Sequence, residues 1–381
     1  MKIAIVGGGI GGLASALALT QAGFAVEVYE RTPQLVDLGA GITLSPNATR
    51  VLYHLGLGPA LETTAVTQPV SEYRHYRTGA VIKRVVREDN RERYGAPHLR
   101  MHRWDLQNAM ATRLAEIAPG ALRLGSRLDH LRSHASGVEL LFEGHPTTIA
   151  DAVVAADGIH SGIREKLFNP APPRFTGFIA WRGLVSTVGM PQRLLESVVS
   201  FGQGRHLNRY LVRRGELLNF VAIARRDEWQ AEGWTIPASL REFLAEYADF
   251  DADTQAIISR PLHGQLFKWG LFGHAWLSSW STERIVLLGD AAHPMLPFQG
   301  QGAAMAIEDA MILARSLTRE NAPERAFALY QTTRSERVKR TTEAAAKQGH
   351  LYEGEPNEDS LKTDERGDQF AYDAVSASLG Q

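Results

Sequence analysis

The chain opens with a glycine-rich turn between a strand and a helix, MKIAIVGGGIGGLASALALTQAGFAVEVYERT. The apolar residues 3–6 predict a short buried strand, and the alanine-rich stretch after the glycines predicts a helix that ends near Ala22. Residues 25–30 predict a second strand. This order is the start of a parallel βαβ unit, which constrains the fold more than any other part of the sequence.

Each of three spaced glycines in this turn has a physical purpose. Gly7 suits the tight turn, Gly9 lets the backbone approach a diphosphate, and Gly12 lets helix and strand pack closely. The free N–H groups at the start of the helix favour a phosphate. Glu30 follows about 20 residues on, where a carboxylate can accept hydrogen bonds from a ribose. The segment predicts a dinucleotide site, and the alternative is a glycine-rich turn in an ordinary α/β unit.

Three further segments resemble the FAD-binding signatures of the class A flavoprotein aromatic hydroxylases, the group of para-hydroxybenzoate and salicylate hydroxylases. They are HRWDLQNAM (102–110), VVAADGIHSGIR (153–164) and IVLLGDAAHPMLPFQGQGAAMAIEDA (285–310). A plain NAD dehydrogenase would show only the opening motif. The resemblance implies an α/β fold, with a Rossmann-like FAD-binding domain of the para-hydroxybenzoate hydroxylase type. It also implies an inserted, mostly antiparallel β-sheet that covers the substrate.

The same resemblance assigns most FAD contacts. Asp290 would bond the ribityl chain, Arg103 would approach the diphosphate, and Asp157 is associated with both FAD and the pyridine nucleotide. We expect Arg164 to tie down its loop through an ion pair. With the opening motif included, the predicted cofactor-binding residues are Gly7, Gly9, Gly12, Glu30, Arg31, Arg103, Leu128, Asp157, Asp290, Pro297, Gly302 and Ala303.

The strand pattern predicts a discontinuous FAD-binding domain. We assign residues 1–72, 100–165 and 276–350 to it, 73–99 and 166–275 to the substrate-binding domain, and 351–381 to a C-terminal tail. Within the inserted sheet we expect strands at 175–185, 197–203, 207–212, 217–225 and 261–269. The polar, acidic tail is predicted to be solvated or partly ordered. Tyr372 and Asp373, however, resemble a terminal motif of the salicylate hydroxylase branch that packs back on the protein.

Candidate catalytic residues lie in RHLNRYLV (205–212). Alternation with period two puts His206, Asn208 and Tyr210 on one strand face. A His and a Tyr four residues apart on one face can accept or relay a phenolic proton, which matches the His and Tyr pair of the hydroxynicotinate and hydroxybenzoate hydroxylases. We predict His206 and Tyr210 as catalytic; the alternatives are a structural histidine and a half-buried sheet tyrosine. His293 is predicted to be structural or to gate the flavin.

The predicted substrate pocket contains Thr43, Asn208 and Phe298. Here the chain departs from the family it resembles. The salicylate and hydroxynicotinate enzymes have a histidine where Phe298 stands, and the hydroxynicotinate enzyme has another where Thr43 stands. The pocket is therefore expected to have a more apolar wall.

Composition excludes several classes of function. Lys and Arg number 41 against 42 Asp and Glu, so there is no electrostatic footprint for nucleic acid or an anionic membrane. The chain has no cysteine, which excludes disulfides, thiolate metal sites and a cysteine-linked flavin, so FAD is expected to be non-covalent. The 13 histidines show no metal-ligand spacing, and we expect no metal. An early first strand leaves no room for a signal peptide, and no apolar run reaches the ~18 residues of a membrane span, so we expect a cytoplasmic protein. A homodimer is left open.

The resemblance implies an FAD-dependent monooxygenase that uses NADH or NADPH and O2 to hydroxylate a small phenolic or N-heteroaromatic acid through a flavin hydroperoxide. Decarboxylation would accompany hydroxylation if the carboxylate sits at the attacked carbon. Two alternatives stay open: a flavin reductase or cyclase of the same superfamily acting on a lipid-like substrate, and a non-catalytic FAD-binding sensor.

Overall fold

The structure is a computed structural model that describes residues 1–37, 40–229, 236–357, 361 and 366–380. Much of the predicted acidic tail, residues 358–360, 362–365 and 381, lies outside the described residues. The helices are α1 (Ile10–Gln21), α2 (Pro46–His54), α3 (Gly58–Thr64), α4 (Asn90–Tyr94), α5 (Arg103–Ile117), α6 (Gly162–Phe168), α7 (Leu240–Glu246), α8 (Ala252–Ile258), α9 (Gly302–Arg319), α10 (Pro323–Leu351) and α11 (Arg366–Ala371).

The strands are β1 (Lys2–Val6), β2 (Ala25–Tyr29), β3 (Gly41–Leu44), β4 (Val70–His75), β5 (Val81–Val86), β6 (Leu99–His102), β7 (Leu122–Arg123), β8 (Leu128–His134), β9 (Gly137–Phe142), β10 (Thr148–Ala150), β11 (Ala152–Ala155), β12 (Arg174–Ser186), β13 (Ser197–Gly202), β14 (Arg205–Val212), β15 (Leu217–Arg225), β16 (Ile236–Pro237), β17 (Leu266–Gly273) and β18 (Ile285–Leu287).

A five-stranded parallel sheet forms the first layer. Its order is β18-β11-β1-β2-β7, and every neighbouring pair is parallel. Strands β1, β11 and β18 are apolar and largely buried, as expected for a parallel sheet covered by helices on its faces. Helix α1 packs between this sheet and α9, which brings the opening turn next to the start of α9.

An eight-stranded, mostly antiparallel sheet forms the second part, in the order β16-β17-β12-β15-β14-β13-β4-β5. Its outer face carries Trp181 and Phe220, which pack beneath Phe243 of α7 and Ile257 of α8. Its inner face carries side chains such as Ala180 and Trp269 that pack against the loop after β18. The substrate residues predicted from β14 therefore lie in a sheet that faces the nucleotide-binding loops.

Two small sheets complete the fold. Strands β3 and β6 pair antiparallel and lie near the inner face, and β8, β9 and β10 form a three-stranded antiparallel sheet. Along the described chain, no helix is both long and apolar enough to cross a membrane.

Most predicted strands and helices are found, with one difference. The strand expected at 261–269 begins only at Leu266, because a 3₁₀ turn with His263 at φ 53° precedes it. The described part of the tail packs on the protein at Tyr372, as the resemblance to the terminal motif of the salicylate hydroxylase branch implied. Arg50 Nη1 donates to the Tyr372 carbonyl at 2.7 Å, and the Arg337 guanidinium lies 4.0 Å from the Tyr372 ring centroid.

Candidate cofactor cleft and active site

The opening turn has the geometry that a dinucleotide-binding turn requires. Gly7 has φ 110°, and a Cβ there would lie 2.3 Å from the Ala156 carbonyl oxygen. A Cβ on Gly12 would lie 1.9 Å from the Gly7 carbonyl oxygen, so strand and helix could not pack as they do. A Cβ on Gly9 would meet nothing within 4 Å. The backbone at Gly9 is therefore open to a ligand, while Gly7 and Gly12 are required by the protein itself.

The Glu30 carboxylate lies beside this turn and is hydrogen-bonded to its backbone. It accepts hydrogen bonds from the Gly8 N–H at 2.7 Å and from the Thr32 N–H and hydroxyl, both at 2.9 Å. Arg31 beside it is exposed, and Leu128 begins β8 near the same edge of the parallel sheet. These residues lie where the adenosine half of a dinucleotide is expected.

Asp157 lies at the end of β11, across the turn from Gly7. Burial raises the pKa of its carboxyl, against the lowering effect of hydrogen bonds from Ser161 and Ile163. Its Oδ1 has no hydrogen-bond partner in the described part of the chain. Arg164 does not behave as predicted: it is 2% exposed, and its guanidinium forms no salt bridge with any described carboxylate. Burial lowers the pKa of Arg164. The Ser161 hydroxyl accepts a hydrogen bond from the Arg164 backbone N–H at 3.0 Å and so caps α6.

Asp290 and the start of α9 form the centre of the cleft. A 3₁₀ turn after β18 presents Asp290, whose Oδ1 lies 3.8 Å from the position of a Cβ on Gly302. Loss of solvating water in the cleft raises the pKa of the Asp290 carboxyl, and the positive charge of Arg103 partly opposes this rise. Gln301, which precedes α9, makes no side-chain cap, so the first N–H groups of the helix, at Gly302 and Ala303, are not capped by it.

This set of donors and acceptors fits FAD. A carboxylate, a guanidinium, an uncapped helix N-terminus and an open glycine backbone are what ribose, diphosphate and an electron-rich flavin ring need. Pro297, in the turn that precedes α9, is exposed beside them.

His293 is held by a buried ionic network. Its Nε2 lies 2.6 Å from Asp309 Oδ2, and Asp309 also accepts from the Gly289 N–H at 3.2 Å and from Arg334 Nε at 2.7 Å. Burial would raise the pKa of Asp309, but the charges of His293 and Arg334 outweigh it and bring the pKa to about 2. The network fixes the loop that carries Asp290, which supports a structural role for His293.

The alternation predicted for β14 is found. His206 and Tyr210 lie on the inner face with Asn208, whereas Leu207 and Arg209 lie on the outer face. The three candidate residues therefore lie on the face of the sheet that packs against the loop leading into α9.

Aromatic rings surround His206. Its ring centroid lies 4.4 Å from that of Tyr352 and 5.5 Å from that of Phe298, and Tyr352 also contacts Phe201 at 5.2 Å. Burial lowers the pKa of His206 to about 3. The imidazole is therefore neutral at pH 7, where it can accept or donate a hydrogen bond but holds a proton poorly.

Tyr210 lies among polar groups. The Arg100 guanidinium lies 5.0 Å from its ring centroid. Burial raises the pKa of Tyr210, although Arg100 and Thr43 act in the opposite direction. Asn219, the cross-strand partner of Tyr210, accepts from the Gly41 N–H at 2.7 Å. The structure thus brings Thr43 and Phe298 close to the inner face that carries His206 and Tyr210.

Sequence reasoning missed four residues of this face: Arg100, Arg182, Asn219 and Tyr352. Arg182 had a signal, because a single arginine within the apolar strand FIAWRGLV is costly to bury without a purpose. Tyr352 had none, because only the folded chain brings the end of α10 to His206.

Comparisons with known proteins show the family and the fold. The family model described as an FAD binding domain matches residues 1–345. The 3-amino-4-hydroxybenzoate 2-monooxygenase of Streptomyces platensis is 35% identical over 381 residues, covering 97% of this chain and 95% of that protein. The 6-hydroxynicotinate 3-monooxygenase of Pseudomonas fluorescens is 34% identical, covering 88% of each chain. The structure of Klebsiella pneumoniae HpxO complexed with FAD and uric acid matches with a TM-score of 0.83 and 26% identity, over 97% of this chain and 92% of that one.

Proposed function

Because this chain belongs to the family of FAD-binding-domain proteins, and its curated relatives are aromatic monooxygenases, we propose that it hydroxylates a small aromatic acid with NADH or NADPH and O2. The ring is phenolic or N-heteroaromatic, by the chemistry of the relatives' substrates. The proposed location is the cytoplasm.

The residues of the cleft have defined tasks in this reaction. Bound FAD would accept electrons from the nicotinamide and supply activated oxygen to the substrate ring. Asp290, Arg103 and the N-terminus of α9 would hold its ribityl, diphosphate and ring portions. Glu30 would hold the adenosine ribose beside Gly8, whose N–H already donates a hydrogen bond to the Glu30 carboxylate.

On the inner face, the substrate hydroxyl would be polarised by hydrogen bonding. His206 is neutral, so it would accept a hydrogen bond from the hydroxyl and raise the electron density of the ring. Tyr210 keeps its proton because burial raises its pKa, so it would donate to the substrate or relay through Thr43. Phe298 would form an apolar wall that excludes water.

One observation carries the proposal. His206, on the β14 face that also carries Tyr210, has its ring centroid 5.5 Å from that of Phe298, in the loop that leads into α9 and its predicted flavin contacts. A substrate on that face would be adjacent to the cofactor.

The direct test measures NADH and NADPH oxidation with a panel of hydroxybenzoates and hydroxypyridines, together with O2 uptake and product mass. We expect one class of aromatic acid to give a product heavier by one oxygen atom or, when decarboxylation accompanies hydroxylation, a product that has gained one oxygen atom and lost carbon dioxide. Nicotinamide oxidation without O2 incorporation would point to a reductase, and no oxidation with any compound would point to a non-catalytic FAD protein.

Two variants test the assigned residues. Tyr210→Phe and His206→Asn should slow hydroxylation by roughly 10²-fold or more, since a positioned acid or base contributes about 10²–10⁴-fold. Flavin reduction should change much less, and hydrogen peroxide should replace product. Leu207→Val, on the outer face of the same strand, is the control for damage to the sheet. Wild-type product yield in both variants would remove the assignment.

A further inference from the structure

An aromatic acid brings a carboxylate into the pocket, and that charge needs a partner. Burying an ionised carboxylate without one costs several kcal/mol. The pocket residues predicted from the sequence, Thr43, His206, Asn208, Tyr210 and Phe298, carry no positive charge at pH 7, because burial keeps His206 neutral. The counter-charge must come from a residue that the sequence motifs did not identify.

Arg182 lies in the right row of the sheet. It is paired with Phe267 on one side and Val221 on the other, and Val221 is paired with Asn208. Side chains in such a row share a face, so Arg182 lies on the inner face with Asn208. Two strand spacings separate their backbones, which is roughly 10 Å and within reach of an arginine side chain and a small aromatic ring together.

The guanidinium of Arg182 is buried and available. The residue is 5% exposed, and its Nε and Nη2 have no hydrogen-bond partner among the residues that the structure describes. Its Cζ lies 5.6 Å from the Trp269 ring centroid and 5.5 Å from that of Phe267, so aromatic faces hold it in place. Burial and the charge of Arg103 lower its pKa to about 10, which still leaves it charged at pH 7.

Other buried arginines do not meet the same conditions. Arg334 is paired with Glu308 and Asp309, and Arg209 lies on the outer face. Arg100 is on the inner side, but its Nη1 donates to Gln68 at 2.7 Å and its Nη2 to Ser71 at 2.9 Å, which leaves Nε as its one nitrogen without a described partner.

We propose that Arg182 binds the carboxylate of the aromatic substrate and sets its orientation on the inner face, with the ring over Val221 and Asn208 and the hydroxyl toward His206 and Tyr210. This assignment rests on the proposed function. The planar guanidinium offers Nε and Nη2 side by side, the geometry for a bidentate bond to a carboxylate. The residue thereby selects aromatic acids against the corresponding phenols and pyridines that lack the acid group.

The test uses the FAD-loaded protein without nicotinamide, so that binding is measured apart from turnover. The probes are the hydroxybenzoate or hydroxynicotinate found active in the panel, and the matching phenol or hydroxypyridine without the carboxylate. Dissociation constants come from changes in flavin absorbance. Arg182→Met should weaken acid binding roughly 10- to 100-fold, the value of hydrogen bonds to a charged group, and change binding of the neutral analogue less than about 3-fold.

Two further variants make the result specific. Arg209→Met removes an equally buried guanidinium from the outer face of the same sheet and should leave acid binding within about 3-fold. Arg182→Lys keeps the positive charge but loses the paired N–H donors of the guanidinium. Its affinity for the acid should therefore lie between those of Arg182→Met and the wild type. It also serves if Arg182→Met does not fold, with FAD content and Tm as checks.

The outcomes separate this inference from the proposed function. Equal loss of acid and neutral analogue, or a loss of FAD affinity in place of substrate affinity, would overturn the role of Arg182 and leave the proposed function standing. Unchanged acid binding in Arg182→Met and Arg182→Lys would do the same. If the wild-type protein bound no aromatic acid and oxidised no nicotinamide with any of them, the proposed function would fall and this inference with it.

Discussion

At the scale of single residues, the burial of His206 decides its chemistry. The rings of Phe298, Tyr352 and Phe201 remove water from its surroundings, and the charged imidazolium loses most by this. A histidine of this kind polarises a hydroxyl through a hydrogen bond and does not store the proton. The positive charge that favours an ionised substrate must then come from arginine.

The same burial makes stability depend on pH. Burial lowers the pKa of His206 to about 3 in the folded protein, whereas a histidine in an unfolded chain has a pKa of about 6.5. Between these values the unfolded chain binds a proton that the folded chain does not, so the free energy of unfolding falls as pH falls from 6.5 toward 3. The loss is at most about 1.4 kcal/mol per pH unit from this group.

His206→Phe removes that titration while keeping an aromatic ring between Phe298 and Tyr352. We expect its free energy of unfolding to fall less steeply than that of the wild type between pH 6.5 and pH 4.5, by about 1 kcal/mol per pH unit. Urea unfolding at several pH values measures both slopes, and the difference between the two proteins should be constant from pH 7.5 to 9. Parallel curves over the acid range would show that His206 does not titrate with unfolding.

Sequence alone located His206 and Tyr210 because a strand has a period of two, and this period needs no knowledge of the rest of the fold. It could not supply the state of these side chains. Tyr352 comes from the C-terminal segment and Arg100 from β6, and both reach the inner face only through tertiary packing. The absence of an ion pair at Arg164 has the same origin, since it depends on which carboxylates lie nearby.

At the scale of secondary-structure elements, the opening βαβ unit separates residues needed for folding from residues needed for the ligand. We expect Gly12→Ala to destabilise the apoprotein by roughly 3 kcal/mol or more, because its Cβ would lie 1.9 Å from the Gly7 carbonyl oxygen. Gly9→Ala should fold normally, since its Cβ meets nothing within 4 Å. It should nevertheless weaken FAD binding at least roughly tenfold, or ~1.4 kcal/mol.

Thermal unfolding of the apoproteins and FAD titration distinguish the two effects. The pair is its own control, because both changes add one methyl group to the same turn. Normal FAD affinity in Gly9→Ala would show that the diphosphate does not pass this backbone.

The end of α10 lies against the loop that carries Phe298 and leads into α9, and Gly349 is the point of contact. A Cβ on Gly349 would lie 2.6 Å from Phe298 Cε2, and Phe298 is confined by His206 and by Phe178 at 5.3 Å. Gly349→Ala should therefore cost about 1–3 kcal/mol of overpacking, against a gain of up to about 1 kcal/mol in helix propensity.

A shorter side chain should relieve this overpacking. We expect Gly349→Ala combined with Phe298→Leu to be more stable than the sum of the single changes predicts. Gly354→Ala is the matched control, because a Cβ there meets nothing within 4 Å. The free energies of unfolding of the four proteins in the cycle measure the coupling, and additive values would mean that Phe298 moves aside freely.

At the scale of the whole molecule, the C-terminal segment joins the substrate sheet to the nucleotide-binding part. The Gly204 N–H donates to the Tyr352 carbonyl at 3.0 Å, and Arg225 pairs with Glu353 at 2.9 Å. Further along, Arg315 donates to the Ala374 carbonyl at 2.9 Å. Acidic composition predicted a solvated or partly ordered tail, because composition does not reveal the arginines of the folded surface that pair with it.

These contacts make the segment part of the pocket, because the Tyr352 ring lies 4.4 Å from that of His206 and 6.4 Å from that of Phe298. A chain that stops after Leu351 should keep its FAD, since the opening turn, Asp290 and α9 remain. Water would then reach the inner face, so NADH oxidation should continue while hydrogen peroxide rises and hydroxylated product falls. Tyr352→Ala should reproduce much of this loss, and Tyr352→Phe, which keeps the ring, should reproduce little of it. The measurement is the amount of product formed per NADH consumed. An unchanged ratio in both the shortened chain and Tyr352→Ala would show that the sheet and the loop with Phe298 exclude water without the C-terminal segment.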